Sequence, residues 1–307
     1  MFAPVNKNIV SNPVIIIGSG RSGTTILSEI IFNHEQLAWP SNYQEMFPSL
    51  PQINLIRNIF DNKLWKIQGQ KPQLNKVSIF NKYFFKPAEA YNFWEKISGS
   101  RIDFSRGFLL NEKVLPQEKE FMLNVFLKMV KYQHKKRLAF KITGPAKIGY
   151  LTSIFDKPVF VNVVRKPFPT MQSWLQVDFW EQKGKNKLWW TGAYSEPEIG
   201  WAKNNYNQPA LLAALQYRKL KETTDAEIKK HAAKCITVNY EDFVTQPHDV
   251  IKDILDFCDL PLSNCIDKYM LRNKIFNQDK KAENKNMFSN EEKSMMENIL
   301  KNSFSFQ

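Results

Sequence analysis

The sequence predicts an α/β fold, a central parallel β-sheet flanked by helices, in a single domain over residues 1–307. Three observations carry that expectation. Four short apolar segments bounded by polar or turn residues recur along the chain, as parallel strands buried on both faces do. Helical patterns lie between them, and strand–helix alternation builds parallel sheets. With 43% hydrophobic and 24% charged residues, a chain of this length buries a large core without disulfides.

The first strand is predicted over Val14–Gly18, a Val-Ile-Ile-Ile run that ends in glycine, and a helix follows over Thr24–Asn33. Further strands are expected at Leu138–Ile142, Val159–Val164 and Cys235–Asn239. Helical patterns cover Gln117–Lys135, Pro145–Phe155, Pro167–Val177, Leu211–His231, Asp249–Cys258 and Asn290–Lys301. Residues 40–107 and 178–201 interrupt the rhythm. Both are rich in aromatics and show no alternation, so they are expected to be irregular insertions over the substrate side of the sheet. The tryptophans from Trp174 to Trp201 read either as packing or as a surface that stacks an acceptor.

The formal net charge of +13 draws polyanions, among them nucleic acid, anionic glycans and phosphate-rich cofactors. The basic residues are dispersed and no nucleic-acid recognition motif accompanies them, which argues against a nucleic-acid partner. Cys235, Cys258 and Cys265 form no CxxC pair, and with four scattered histidines they give no metal-ligand spacing. No metal is expected, and the three thiols read as reduced packing residues. No apolar run reaches the ~18 residues of a membrane span, and Met1 to Asn12 lack a signal-peptide pattern. The expected location is cytoplasmic.

The strongest motif is Gly18-Ser19-Gly20-Arg21-Ser22-Gly23-Thr24-Thr25, between the first strand and its helix. Glycines let backbone amides turn around an oxyanion, the helix start adds partial positive charge, and Ser22, Thr24 and Thr25 add hydroxyl donors. A phosphate loop of the GxxxxGK[ST] type has the same glycine spacing but a lysine where Thr24 stands, and it works with an acidic residue at a later strand end. Here Val159–Val164 runs into Arg165. Both departures weigh against phosphoryl transfer. The second motif is Arg165-Lys166-Pro167, with Ser173 eight positions after the arginine. On a helix starting at Pro167, that hydroxyl can face back toward the strand end and build a monophosphate site with the guanidinium.

The loop resembles the 5′-phosphosulfate loop of sulfotransferases that use 3′-phosphoadenosine-5′-phosphosulfate (PAPS), whose core reads [KR]-S-G-T-T. The second motif resembles that family's 3′-phosphate motif, R-x-P-x(5)-S. The resemblance implies the sulfotransferase variant of the P-loop NTPase-like fold, with Gly20, Arg21, Ser22, Gly23, Thr24, Thr25, Arg165 and Ser173 binding PAPS or its product, adenosine 3′,5′-bisphosphate (PAP). Tyr240, in the run Tyr240-Glu241-Asp242, falls where the family has a tyrosine against the adenine. Lys285-Asn286-Met287-Phe288-Ser289 resembles a family segment whose upstream R-K-G triplet is here Asn277-Gln278-Asp279. Lys280 and Lys281 are the basic residues left nearby.

Sulfuryl transfer asks for positioning and for cations aimed at the developing charge. Arg21 and Lys141, the latter on the second predicted strand, are the expected cations. One branch of the family continues that strand K-x-H and uses the histidine as base, but here the strand reads Lys141-Ile142-Thr143. Other branches of the family use a glutamate shortly after the loop's helix, and the resemblance makes Glu45 the expected base; His34 and His134 are weaker candidates, expected instead to be surface or capping residues. The expected acceptor is a hydroxyl, or less readily an amine, on a small molecule or glycan. A PAP-binding relative without turnover and a nucleotide-kinase-like protein are the competing readings. The oligomeric state is not encoded in any recognisable pattern.

Overall fold

The computed structural model describes residues 7–62, 83–273, 275 and 287–301. At its centre lies an all-parallel sheet of β1 (Val14–Gly18), β2 (Leu37–Ala38), β3 (Arg137–Thr143), β4 (Val159–Val164) and β5 (Lys234–Asn239), in the order β2-β3-β1-β4-β5. β1 and β4 have the bounds predicted from sequence, while β3 and β5 are slightly longer. Two-residue β2 has no hydrophobic run to announce it. It forms where the chain passes alongside Arg137 and Leu138.

The helices are α1 (Thr24–Ile31), α2 (Asn42–Met46), α3 (Arg57–Phe60), α4 (Tyr91–Ser98), α5 (Pro116–Tyr132), α6 (Ile148–Ile154), α7 (Pro167–Leu175), α8 (Asp178–Gln182), α9 (Glu196–Asn204), α10 (Pro209–Lys230), α11 (Tyr240–Thr245), α12 (Pro247–Phe257) and α13 (Asn264–Arg272), with a last helix at Asn290–Leu300. α2 to α4 and a 3₁₀ turn, Pro51–Ile56, lie within the first aromatic-rich stretch; α8 and the start of α9 lie in the second. Short helices of this kind leave too few turns for a 3.6-residue period to show.

Pleating sends Ile15 and Ile17 to one face of the sheet and Val14 and Ile16 to the other. All four are fully buried, each contributing ~1.5–3 kcal/mol of apolar transfer. On the first face Phe93 and Trp94 of α4, Phe126 of α5 and Tyr150 of α6 pack around Phe140. Residues of α1, α12 and α13 cover the second face. A third cluster joins α7, α10 and the last helix around Trp174, Trp180, Trp190 and Trp201, with Trp174 and Trp180 stacked at 4.9 Å. These four indoles are therefore packing elements.

His34, expected as a surface or capping residue, is fully buried. Its Nδ1 accepts from the Gln36 amide and its Nε2 meets the Pro261 carbonyl at 2.9 Å, pinning the turn after α1 to the segment before α13. His134 is exposed. The three cysteines are free thiols, and burial pushes those of Cys235 and Cys258 up to about 11. Lys280, Lys281, Lys285 and the residues aligned with the lost triplet lie outside the described residues. Among the described residues no helix is long and apolar enough to cross a membrane.

The topology fixes where a ligand can sit. The chain leaves β1 toward β2 on one side, and leaves β4 toward β5 on the other. The carboxyl ends of β1 and β4 thus meet at the reversal point where doubly wound sheets bind ligands. Gly18 ends β1 opposite Val163 of β4 and Thr143 of β3.

Candidate active site

At the end of β1 the chain turns through Gly18 to Gly23 into α1. The loop is closed by Ser22, whose amide and hydroxyl both donate to the Ser19 carbonyl, at 3.2 and 2.7 Å. Gly23 caps the helix with φ 94°, and a Cβ there would lie 2.4 Å from the Tyr240 ring. Glycine is obligatory at that position on both counts. The helical ladder starts with Leu27 donating to the Gly23 carbonyl, so the amides of Thr24, Thr25 and Ile26 have no acceptor within the helix. Gly20 is different. A Cβ there would meet no protein atom closer than Trp174 Nε1 at 3.6 Å, so packing inside the protein does not demand glycine at this position.

Three contacts tie the second motif to this loop. Arg21 Nε donates to Ser173 Oγ at 2.8 Å, Arg165 Nη1 donates to the Arg21 carbonyl at 2.7 Å, and Trp174 Nε1 donates to the Gly20 carbonyl at 2.6 Å. Arg21 itself holds φ 70°, a left-handed conformation that a non-glycine residue keeps only when its surroundings hold it. Since Ser173 Oγ accepts from Arg21, its own proton is left to donate elsewhere. The Arg165 guanidinium lies 4.7 Å from the centre of the Tyr240 ring, a cation–π contact, and Tyr217 Oη donates to the Arg165 carbonyl at 2.7 Å. Burial, then the adjacent Arg165 charge, holds the Arg21 guanidinium below its usual value. Two cations crowded together in this way are relieved by a bound anion.

A second group of side chains gathers at the end of β3. Lys141, buried on the α1 face, pairs with Glu89 Oε1 at 2.9 Å and reaches Thr25 Oγ1 at 3.4 Å. Thr143 Oγ1 donates to Glu89 Oε2 at 2.9 Å, and Tyr91 Oη donates to the Thr143 carbonyl at 2.6 Å. Glu45, on α2, accepts from the Asn92 amide at 2.9 Å and so caps α4. Burial pushes the Glu45 carboxyl above its ordinary value and the Glu89 charge adds to this, against the amides of Asn92 and Phe93.

The structure thus brings Arg21, Arg165, Ser173 and Tyr240 together around Gly20 and Gly23, and brings Lys141 against Thr25. Glu45 lies at the start of α4, near Glu89. Sequence reasoning missed Glu89, which sits in the run Lys86-Pro87-Ala88-Glu89-Ala90 with neither periodicity nor motif to mark it. Trp174 was legible only as an aromatic beside Ser173.

A nucleotide with an anion at each end fits these residues. The donor set is cationic and hydroxylic, no carboxylate pairs with Arg21 among the described residues, and at Gly20 a side chain would meet only Trp174 Nε1, at 3.6 Å. Fold and site together define a doubly wound α/β protein with a glycine loop at the reversal point of its sheet. A model of the sulfotransferase family matches residues 13–264, and the chain belongs to that family. It is similar in structure to sulfotransferase STF9 from Mycobacterium avium, at TM-score 0.54 and 15% identity over 88% of this chain and 68% of that one, which shows the fold. It also matches the sulfotransferase domain from the curacin biosynthetic pathway, at TM-score 0.49 and 14% identity over 96% of this chain and 98% of that one. The sulfotransferase domain of the Synechococcus PCC 7002 olefin synthase aligns at TM-score 0.42 and 15% identity, over 83% of this chain and 75% of that one. No curated protein matched in sequence.

Proposed function

We propose that the protein transfers the sulfuryl group of PAPS to a hydroxyl, or less readily an amine, on a small-molecule or glycan acceptor, releasing PAP. The observation that carries this reading is the closure of the second motif on the first: Arg165 and Ser173, 144 and 152 residues away from Arg21, both bond to it. A single glycine loop would suit any phosphate. A loop joined to a guanidinium and a hydroxyl at the neighbouring strand end suits a nucleotide with anionic groups at both its 5′ and 3′ positions.

In this reading the amides at the start of α1 and the Arg21 side chain hold the 5′ end, Arg165 and Ser173 hold the 3′-phosphate, and Tyr240 flanks the adenine. The donor supplies an activated sulfur, to which the acceptor oxygen bonds as the bond from sulfur to the 5′-phosphate oxygen breaks. Lys141 and Arg21 place positive charge where negative charge develops. Glu45 takes the proton that the acceptor hydroxyl loses, and its raised proton affinity suits a general base. In this reading the described parts of the insertions, 40–62, 83–107 and 178–201, border the acceptor.

Isothermal titration tests the donor assignment. PAP is expected to bind in magnesium-free buffer and ATP to bind at least about tenfold more weakly, the difference of one well-placed charged hydrogen bond. Equal affinity for the two would refute the second anion site.

A further inference from the structure

The ring of Trp190 packs in the third cluster, its centroid 5.8 Å from Trp174 and 5.5 Å from Trp180. That packing does not use its N–H. Trp39 and Trp174 each donate from Nε1 to a backbone carbonyl, and the unpaired N–H groups of Trp94 and Trp180 are sealed from solvent. Trp190 is only 7% exposed, yet of these five indoles its N–H alone is neither bonded to the described residues nor sealed. Gly144 fixes where that N–H stands. A Cβ there would lie 2.8 Å from Trp190 Nε1 and 3.0 Å from Cε2, and φ is 88°, so glycine is what lets the indole edge come so close. The Gly144 amide donates to the Gly18 carbonyl at 3.0 Å. The indole edge therefore borders the point where the end of β3 meets the first residue of the glycine loop.

We infer that Trp190 Nε1–H donates a hydrogen bond to an oxygen of the sulfuryl group that the reaction moves. This inference rests on the PAPS reading. In that reading the loop amides and Arg21 serve the 5′-phosphate, and the sulfuryl group, one bridging oxygen further out, must be held by side chains from outside the loop. Lys141 reaches this strand end from the α1 side, through Thr25; Trp190 reaches it from the α7 side, beside Trp174. Glu89 draws on the Lys141 charge, whereas an indole N–H has no charge to be drawn off. It donates only, so it offers an anionic oxygen no opposing lone pair. Packing on Trp174 and Trp180 sets its direction in advance, which is the condition under which a donor helps most as charge develops. The attacking acceptor oxygen is the wrong partner, because a hydrogen bond donated to it would occupy the lone pair that must bond to sulfur.

Titration of PAPS and of PAP, without acceptor, into the full chain and into Trp190→Phe tests this, since the two ligands differ by the sulfuryl group. Trp190→Phe should weaken PAPS about tenfold, as for one lost hydrogen bond to a charged group, and leave PAP within about twofold. Turnover measured as kcat/KM should fall by at least the same factor. Unchanged PAPS affinity, or equal weakening of PAPS and PAP, overturns the inference. Benzothienylalanine at position 190 keeps the shape of the ring and removes only the N–H, so it should repeat the loss confined to PAPS. If it binds PAPS as the parent does, the loss in Trp190→Phe came from packing and the inference falls. A parent chain that binds neither ligand overturns the PAPS reading itself, and this inference with it.

Discussion

The two sides of the proposed site, donor and acceptor, are built in different ways. The donor side is assembled from strand ends and the helix starts that follow them, so its residues fall in short runs: Gly18 to Thr25, and Arg165 to Trp174. The acceptor side is assembled from connections, with Glu45 on α2, Glu89 in the turn before α4 and Lys141 on β3, and no two of them share a local segment. The donor side is held by hydrogen bonds to backbone carbonyls and by Arg21 Nε on Ser173 Oγ, the acceptor side by Glu89 paired with the buried Lys141 and by Glu45 on the Asn92 amide. A site that recognises a constant ligand can be fixed by the sheet, whereas a site that must suit a particular acceptor is left to parts of the chain free to vary.

That contrast predicts that the two sides can be damaged separately. The largest effect should come from Glu45→Gln, which is expected to cut turnover by ~10²–10⁴-fold, the usual worth of a general base, while PAP affinity measured by titration stays near that of the parent protein. Loss of affinity with intact turnover would invert the assignment. Arg165→Ala should do the reverse in binding, weakening PAP by roughly 10- to 150-fold, as for a lost charged hydrogen bond.

Two glycines sharpen the donor side further. Gly20→Ala should leave the melting temperature within a few degrees of the parent, since the nearest protein atom, Trp174 Nε1 at 3.6 Å, is an ordinary contact, yet weaken PAP by about tenfold or more if a ligand occupies that space. Gly23→Ala should lower both, because its φ of 94° and the Tyr240 ring oppose any side chain. Equal PAP binding by Gly20→Ala and the parent would mean the ligand lies elsewhere. Ser173→Ala is the mildest, at ~1 kcal/mol or about fivefold in PAP affinity.

Most of the sheet, and the segments that meet at the end of β1, were legible in the sequence, for a local reason. Val14–Gly18 and Val159–Val164 are apolar runs with sharp polar ends, and the turn chemistry of Gly18 to Gly23 sits within eight residues. Ser173 could be placed because a helix starting at Pro167 has a known rise and twist. What was hidden is tertiary. β2 is two residues long, and its pairing with Arg137 and Leu138 exists only once the chain has folded. His34 carries no sign that Pro261 will close over it. Glu89 becomes notable only when β3 brings Lys141 and Thr143 beside it. The indoles from Trp174 to Trp201 could be read either way, and the burial of four of them was decided by α10 and the last helix, well downstream.

Arg21 is clasped twice, at its carbonyl by Arg165 and at its side chain by Ser173, while the next residue in sequence before it, Gly20, is held by Trp174. The turn, the end of β4 and the last turn of α7 therefore respond as a single body. In the proposed reading, an anion bound at one of the two sites changes the affinity of the other site by the same factor in either direction, and truncations made within this trio should combine to less or more than their sum.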